Sequence, residues 1–182
     1  MSVAAVPSVY GPFAAAAGLL VAGGALKLAR PGDTSNALDA LGWPGTRALV
    51  RAGGAAEVVI GATALAAGGR LAPALVAVSY VGFAVFVLAA LRRGTPISSC
   101  GCFGEVDAPP TLVHALVCLG AAVVSGMVAV AGAPDVVRVL SHQPWDGVPL
   151  VALTALAAYL SFLVMAVLPR TLAAARQPQA MT

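Results

Sequence analysis

The sequence predicts an all-α fold, a polytopic bundle of transmembrane helices. Of its 182 residues, 60% are hydrophobic and 9% are charged, and the mean hydropathy is +0.94. Soluble domains are about 45–50% apolar and about 25% charged, so the composition belongs to an integral membrane protein. Five apolar segments also come close to the roughly 20 residues that a helix needs to cross a bilayer. We therefore expect one integral membrane domain over residues 1–182.

The predicted spans are separated by short polar or proline-containing connections. The first contains the small-residue run Gly18–Gly24, which allows close approach of a second helix, and it stops before Pro31. No basic segment or convincing cleavage site accompanies it, so we expect it to remain as a span. The connection at 32–46 is predicted as a loop with a short interfacial helix, and the one at 134–147 as a loop. The five spans are at about 12–29, 50–67, 71–91, 112–131 and 148–168.

The charges indicate membrane topology and exclude a nucleic-acid partner. The net charge of +3 comes from 10 basic and 7 acidic residues, nearly all between the spans, without a basic stripe interleaved with aromatics or a phosphate-binding loop. The lipid bilayer is thus the first predicted partner. With five spans, the positive-inside rule predicts an extracytoplasmic N-terminus and a cytoplasmic C-terminus. On the cytoplasmic side this places Lys27, Arg30, Arg47, Arg51, Arg92, Arg93, Arg170 and Arg176, against Arg70 and Arg138 on the other.

Lys27 and Glu57 are charged residues of the first two predicted spans. An unpaired charge inside a span costs about 2.5–3.5 kcal/mol on insertion scales, so Glu57 needs a partner, a proton or a wet cavity. The number of crossings places Lys27, Glu57 and the loop after the third span toward one face in either orientation. We therefore predict that Lys27 pairs with Glu57 and fixes the bundle or moves protons. Alternatively, Lys27 only extends to the interface.

The loop at 92–110 carries the residues with the clearest chemistry, Cys100 and Cys102, in the run Ser-Ser-Cys-Gly-Cys-Phe-Gly. A thiolate is both nucleophile and soft-metal ligand, so the pair is either redox-active or a metal clamp. A Cys-x-Cys disulfide closes a small ring, which Gly101 permits, and a strained disulfide is easily reduced. This favours disulfide exchange over a structural disulfide, and makes a thiol–disulfide oxidoreductase the leading hypothesis.

His114 and Cys118 follow the loop, early in the fourth predicted span. They are separated by four residues and so share one helix face, a spacing that would also suit a metal pair. We interpret His114 as a hydrogen-bonding or proton-handling residue. Cys118 lies about 10 Å along the helix axis beyond Thr111, so we interpret it as a packing residue.

These residues together resemble the MauE family of methylamine-utilisation membrane proteins, which are related to the DoxX-like helical bundles. The resemblance rests on the segment Cys100–Gly104 after a third span, on Lys27-Leu28 closing the first span and on Glu57 in the second. It covers roughly residues 12–130 and implies a DoxX-like four-helix core, with a fifth span added at the C-terminus.

The resemblance implies a bacterial inner-membrane protein that assists maturation of the methylamine dehydrogenase small subunit, an exported, disulfide-rich client. A thioredoxin-like protein would be its partner. Carried over by residue, Cys100 and Cys102 would be the redox pair, and Lys27 and Glu57 the membrane-embedded polar pair. The arrangement is also similar in logic to DsbB and vitamin K epoxide reductase, which suggests a quinone as acceptor by analogy only, since their Cys-x-x-Cys is lacking here.

Two rival hypotheses come from the same residues. In the first, Cys100, Cys102 and His114 bind or transfer a soft metal such as Cu(I) or Zn. In the second, the chain is a non-catalytic assembly subunit, in which Lys27 and Glu57 matter and the cysteines do not. The client and the oligomeric state are not specified by any motif.

Overall fold

The computed structural model describes residues 6–93, 111–133, 136–141 and 144–166. Four long helices form the bundle: α1 Val6–Ala29, α3 Arg47–Ala66, α4 Leu71–Arg93 and α5 Leu112–Ala131. Each of them contains a stretch that is long and apolar enough to cross a membrane. The multi-pass helical architecture expected from the sequence is thereby confirmed.

Three shorter helices and one 3-10 turn complete the described parts of the chain. Helix α2 Pro31–Ala40 follows α1, and α6 Val136–Ser141 and the 3-10 turn Pro144–Gly147 precede α7 Val148–Ala166. The stretch Val148–Ser161 of α7 is apolar but shorter than the four spans. Helix α7 packs on α1 and α5, so it belongs to the bundle.

Helices α1 and α3 form the tightest described interface because glycines let their backbones approach. A Cβ atom added at Gly54 would lie 2.8 Å from the Gly24 carbonyl oxygen, and one added at Gly24 would lie 2.5 Å from the Gly54 carbonyl oxygen. Farther along, a Cβ atom at Gly61 would lie 2.7 Å from the Ala17 carbonyl oxygen. In lipid, helices associate through such close packing of small residues. Gly24, the last residue of the small-residue run, therefore allows the close approach that we predicted for this run, whereas a Cβ atom added at Gly18 would meet nothing within 4 Å.

The side chains divide into a packed interior and an apolar perimeter. Phe13, Leu20 and Val76 are fully buried at the centre. Large apolar side chains such as Val78 and Val123 are exposed on the outer surfaces of the long helices. In a soluble protein such a perimeter would be unfavourable, but in a bilayer it contacts the acyl chains.

Both ends of the bundle are tied by hydrogen bonds. At one end, the Arg93 guanidinium donates to the Leu41 carbonyl just after α2. We call this end the motif face, because α4 ends and α5 begins there and residues 94–110 connect them. At the other end, Gly69 and Ala133 exchange two backbone hydrogen bonds of 2.8 and 2.7 Å, which join the α3–α4 turn to the end of α5.

The helix bounds differ from the predicted spans mainly at proline. We expected the first span to begin at Pro12, but α1 begins at Val6 and includes Pro12. Proline lacks only one backbone donor, and a membrane helix tolerates it when neighbouring groups compensate. The connection predicted as a loop over 134–147 contains α6 and the 3-10 turn. Helices α3, α4 and α5 begin and end within three residues of the predicted spans at 50–67, 71–91 and 112–131, whereas the end of the fifth predicted span lies outside the described residues.

Candidate functional site

The predicted pairing of Lys27 with Glu57 is confirmed. The Lys27 Nζ atom donates to both carboxylate oxygens of Glu57, at 2.6 and 2.7 Å. The two side chains are only 8% and 13% exposed, so the pair is shielded from the surroundings. The contact between Gly24 and Gly54 positions the ion pair, because it brings the Cβ atoms of both charged residues to the α1–α3 interface. The pair neutralises two charges that would otherwise be costly within a span.

Two aromatic residues of α4 make polar contacts with α1, one of them with Lys27 itself, and no sequence motif singles them out. Lys27 Nζ lies 4.4 Å from the centroid of the Phe83 ring, in a cation–π contact. The Tyr80 hydroxyl donates a 2.7 Å hydrogen bond to the Ala16 carbonyl of α1. Tyr80 and Phe83 lie one helical turn apart, so the same face of α4 supports both contacts.

His114 lies at the motif-face end of α5 and is 1% exposed. Its Nδ1 atom accepts the Thr111 backbone N–H at 3.3 Å and lies 2.8 Å from the Thr111 hydroxyl. An Nδ1 that accepts a backbone N–H leaves the proton of a neutral imidazole on Nε2. Among the described residues, Nε2 has no hydrogen-bond partner. A buried donor in this state is costly, so His114 is poised to donate to a further group.

Of the three cysteines, the structure describes only Cys118. Cys118 is 4% exposed and belongs to the central hydrophobic cluster with Phe13 and Tyr80, as expected of a packing residue. His114 and Cys118 are both buried on α5, in agreement with the shared face predicted from their spacing. Cys100 and Cys102 lie outside the described residues. Within the described parts of the chain, no three His, Cys, Asp or Glu residues cluster as a metal site would require.

Two cavities meet at the Lys27–Glu57 pair. The larger has a volume of about 510 Å³ and runs between α1, α5 and α7. The smaller, of about 280 Å³, lies toward α2 and is lined by Trp43 and Phe86. Lys27, Glu57 and Phe83 line both cavities and therefore form the partition between them. Neither cavity was foreseen, because each is assembled from single residues of several helices.

Comparison with known proteins gives one clear match. The family model described as methylamine utilisation protein MauE matches residues 6–134, which is most of the chain and includes α1 to α5. The segment Cys100–Gly104 falls within this range, whereas α6 and α7 follow it. Neither the curated proteins nor the solved structures contain a significant match. Because the family model matches most of the sequence and four helices are long and apolar enough to cross a membrane, the chain is a multi-pass membrane protein of the MauE family, which associates it with methylamine-related processes.

Proposed function

We propose that this protein is a thiol–disulfide oxidoreductase of the bacterial inner membrane, with Cys100 and Cys102 as its redox pair. The two cysteines lie in the sequence that the MauE model matches. The connection that carries them joins α4 and α5 on the motif face, between Arg93 and Thr111. The observation that carries the proposal is the buried Nε2 donor of His114 at this same end of the bundle. A thiolate is an acceptor that such a donor would stabilise.

The proposed reaction is disulfide exchange with an exported client, of the methylamine dehydrogenase type, assisted by a thioredoxin-like partner. A client thiolate attacks one sulfur of the Cys100–Cys102 disulfide and gives a mixed disulfide. A second client thiol then releases the two cysteines as thiols, so the client is oxidised by two electrons and the pair is reduced by two. His114 would supply or accept the proton at the leaving sulfur. Returning the pair to its disulfide requires a two-electron acceptor.

The proposal needs the motif face to be extracytoplasmic, opposite to the orientation that the positive charges predict. Whole cells expressing the Cys118→Ser variant can be labelled with a membrane-impermeant maleimide, with and without prior reduction. We expect labelling of Cys100 and Cys102 in intact cells only after reduction. The Cys100→Ser/Cys102→Ser variant in the same background is the control and should remain unlabelled.

Labelling that appears only after lysis, without reductant, would contradict the proposal. A stoichiometric Cu(I) complex that is lost in the double cysteine variant would then support the soft-metal hypothesis. Full client maturation by the same double variant, with impaired maturation in Lys27 or Glu57 variants, would instead support a non-catalytic assembly subunit.

Two substitutions of His114 separate its structural role from its chemical role. The His114→Asn variant keeps an acceptor near Nδ1 for the Thr111 N–H and removes Nε2, while His114→Gln places a polar group near Nε2. We expect reoxidation of the cysteine pair to slow about 100-fold in the Asn variant, within the range for lost acid–base catalysis, and less in the Gln variant. Thiol labelling after removal of the reductant measures this rate. Equal slowing in both variants, together with an equal loss of thermal stability, would assign His114 to structure alone.

A further inference from the structure

The larger cavity is a long groove with one charged end. On α1 its lining residues recur on a single stripe from Gly11 through Ala15, Leu19 and Gly23 to Lys27. Sixteen residues of helix correspond to about 24 Å, which is most of the thickness of the hydrocarbon core. The groove therefore follows the helices from one side of the bundle toward the motif face.

The walls of the groove are apolar and its charged residues are confined to one end. Val117 and Ala121 of α5 and Leu153 and Ala157 of α7 are among the apolar residues that line it. The charged groups are those of Lys27, near the C-terminus of α1, and Glu57 of α3. The Phe83 ring lies beside Lys27. A volume of about 510 Å³ is within the range of ligand sites. A ligand that fits this shape has one apolar chain and a compact polar head.

The charge state of the polar end restricts the head group. Lys27 and Glu57 neutralise each other, so an anionic head would have to compete with Glu57 for Lys27 and leave a carboxylate unpaired. A neutral head with carbonyl oxygens could accept a hydrogen bond from the Lys27 ammonium without breaking the pair, since an ammonium has three donors. A flat ring would also pack against Phe83.

We propose that this groove binds a membrane quinone, with its ring at Lys27, Glu57 and Phe83 and its apolar chain between α1, α5 and α7. The inference deepens the proposed function and rests on it for its physiological meaning, because a quinone supplies the acceptor that the cysteine pair needs. Two thiols would become one disulfide, and two electrons and two protons would convert the quinone into a hydroquinone.

Binding of decylubiquinone to the detergent-purified protein tests the groove directly. In the Ala157→Phe variant a phenyl ring would fill the groove, so we expect affinity to fall about tenfold or more. The Ala155→Phe variant is the matched control, because Ala155 lies two residues away on α7 and is exposed at the outer surface. Its affinity should equal that of the unaltered protein.

Three outcomes would overturn the inference: no saturable binding, equal affinities of the two variants, or equally effective competition by decylbenzene, which has no carbonyl head. The cysteine measurements distinguish this failure from failure of the proposed function. Saturable binding while Cys100 and Cys102 stay reduced would sustain the groove site and remove the redox role. An extracytoplasmic Cys100–Cys102 disulfide in a protein that binds no quinone would sustain the redox role and remove the groove site.

Discussion

Removing Lys27 alone is expected to destabilise the protein far more than removing Lys27 and Glu57 together. In the Lys27→Met variant the Glu57 carboxylate loses both of its short contacts with the ammonium group while remaining largely buried. Leaving one partner of a buried ion pair uncompensated costs about 3–5 kcal/mol. In the Lys27→Met/Glu57→Gln variant no charge remains, so we expect stability within about 1 kcal/mol of the unaltered protein.

Thermal unfolding of the detergent-purified variants measures both effects, and the complete double-mutant cycle gives the coupling between the two residues. Arg51→Met is the control for loss of a positive charge, because Arg51 lies on the same α3 helix as Glu57 and is exposed. We expect it to change stability by less than about 0.5 kcal/mol. A single Lys27→Met variant as stable as the control would mean that Lys27 only extends to the membrane interface.

The second large effect is expected from adding one methyl group at Gly54. In the Gly54→Ala variant the new Cβ atom would lie 2.8 Å from the Gly24 carbonyl oxygen and 3.0 Å from the Lys27 Cβ atom. The first of these atoms belongs to backbone and cannot move away alone, so α1 and α3 must separate. We expect a loss of about 1–3 kcal/mol, as for other overpacked interfaces, and a weaker Lys27–Glu57 pair.

Gly53→Ala provides a closely matched comparison. Gly53 is the preceding residue of the same helix, and a Cβ atom added there meets nothing within 4 Å. Alanine is the better helix former by about 0.5–1 kcal/mol, so this variant should be as stable as the unaltered protein or slightly more stable. If both alanine variants melt at the same temperature, the close approach of α1 and α3 is not needed for the fold.

The sequence was sufficient to predict the long helices and the ion pair, because both follow from strong local constraints. Apolar length defines a span, and a charge within a span requires a partner. Counting crossings then placed Lys27 and Glu57 toward one face. The sequence alone could not predict that the Phe83 ring lies against the Lys27 ammonium group, because this contact depends on the rotation of α4 about its axis. Such rotation is set by packing with other helices, which no single segment encodes.

For His114, too, the sequence predicted the helix face but not the hydrogen bond. Its spacing from Cys118 predicted a shared face, and both residues are indeed buried. Its bond with the Thr111 backbone, by contrast, depends on how the chain enters α5, so the protonated nitrogen could be assigned only from the structure. The roles of Cys100 and Cys102 remain predictions from sequence, because these residues lie outside the described parts of the chain.

Helix α7 supplies part of the wall of the larger cavity from outside the residues that the family model matches. This helix follows the part of the sequence that the family model matches, yet its residues Leu150, Leu153, Thr154, Ala157 and Ser161 line the larger cavity. The Lys27–Glu57 pair on α1 and α3 lies within the matched part. A substitution in α7 would therefore change the shape of the cavity wall while leaving Lys27 and Glu57 in place, so the width of the groove and its charged end are set by different helices.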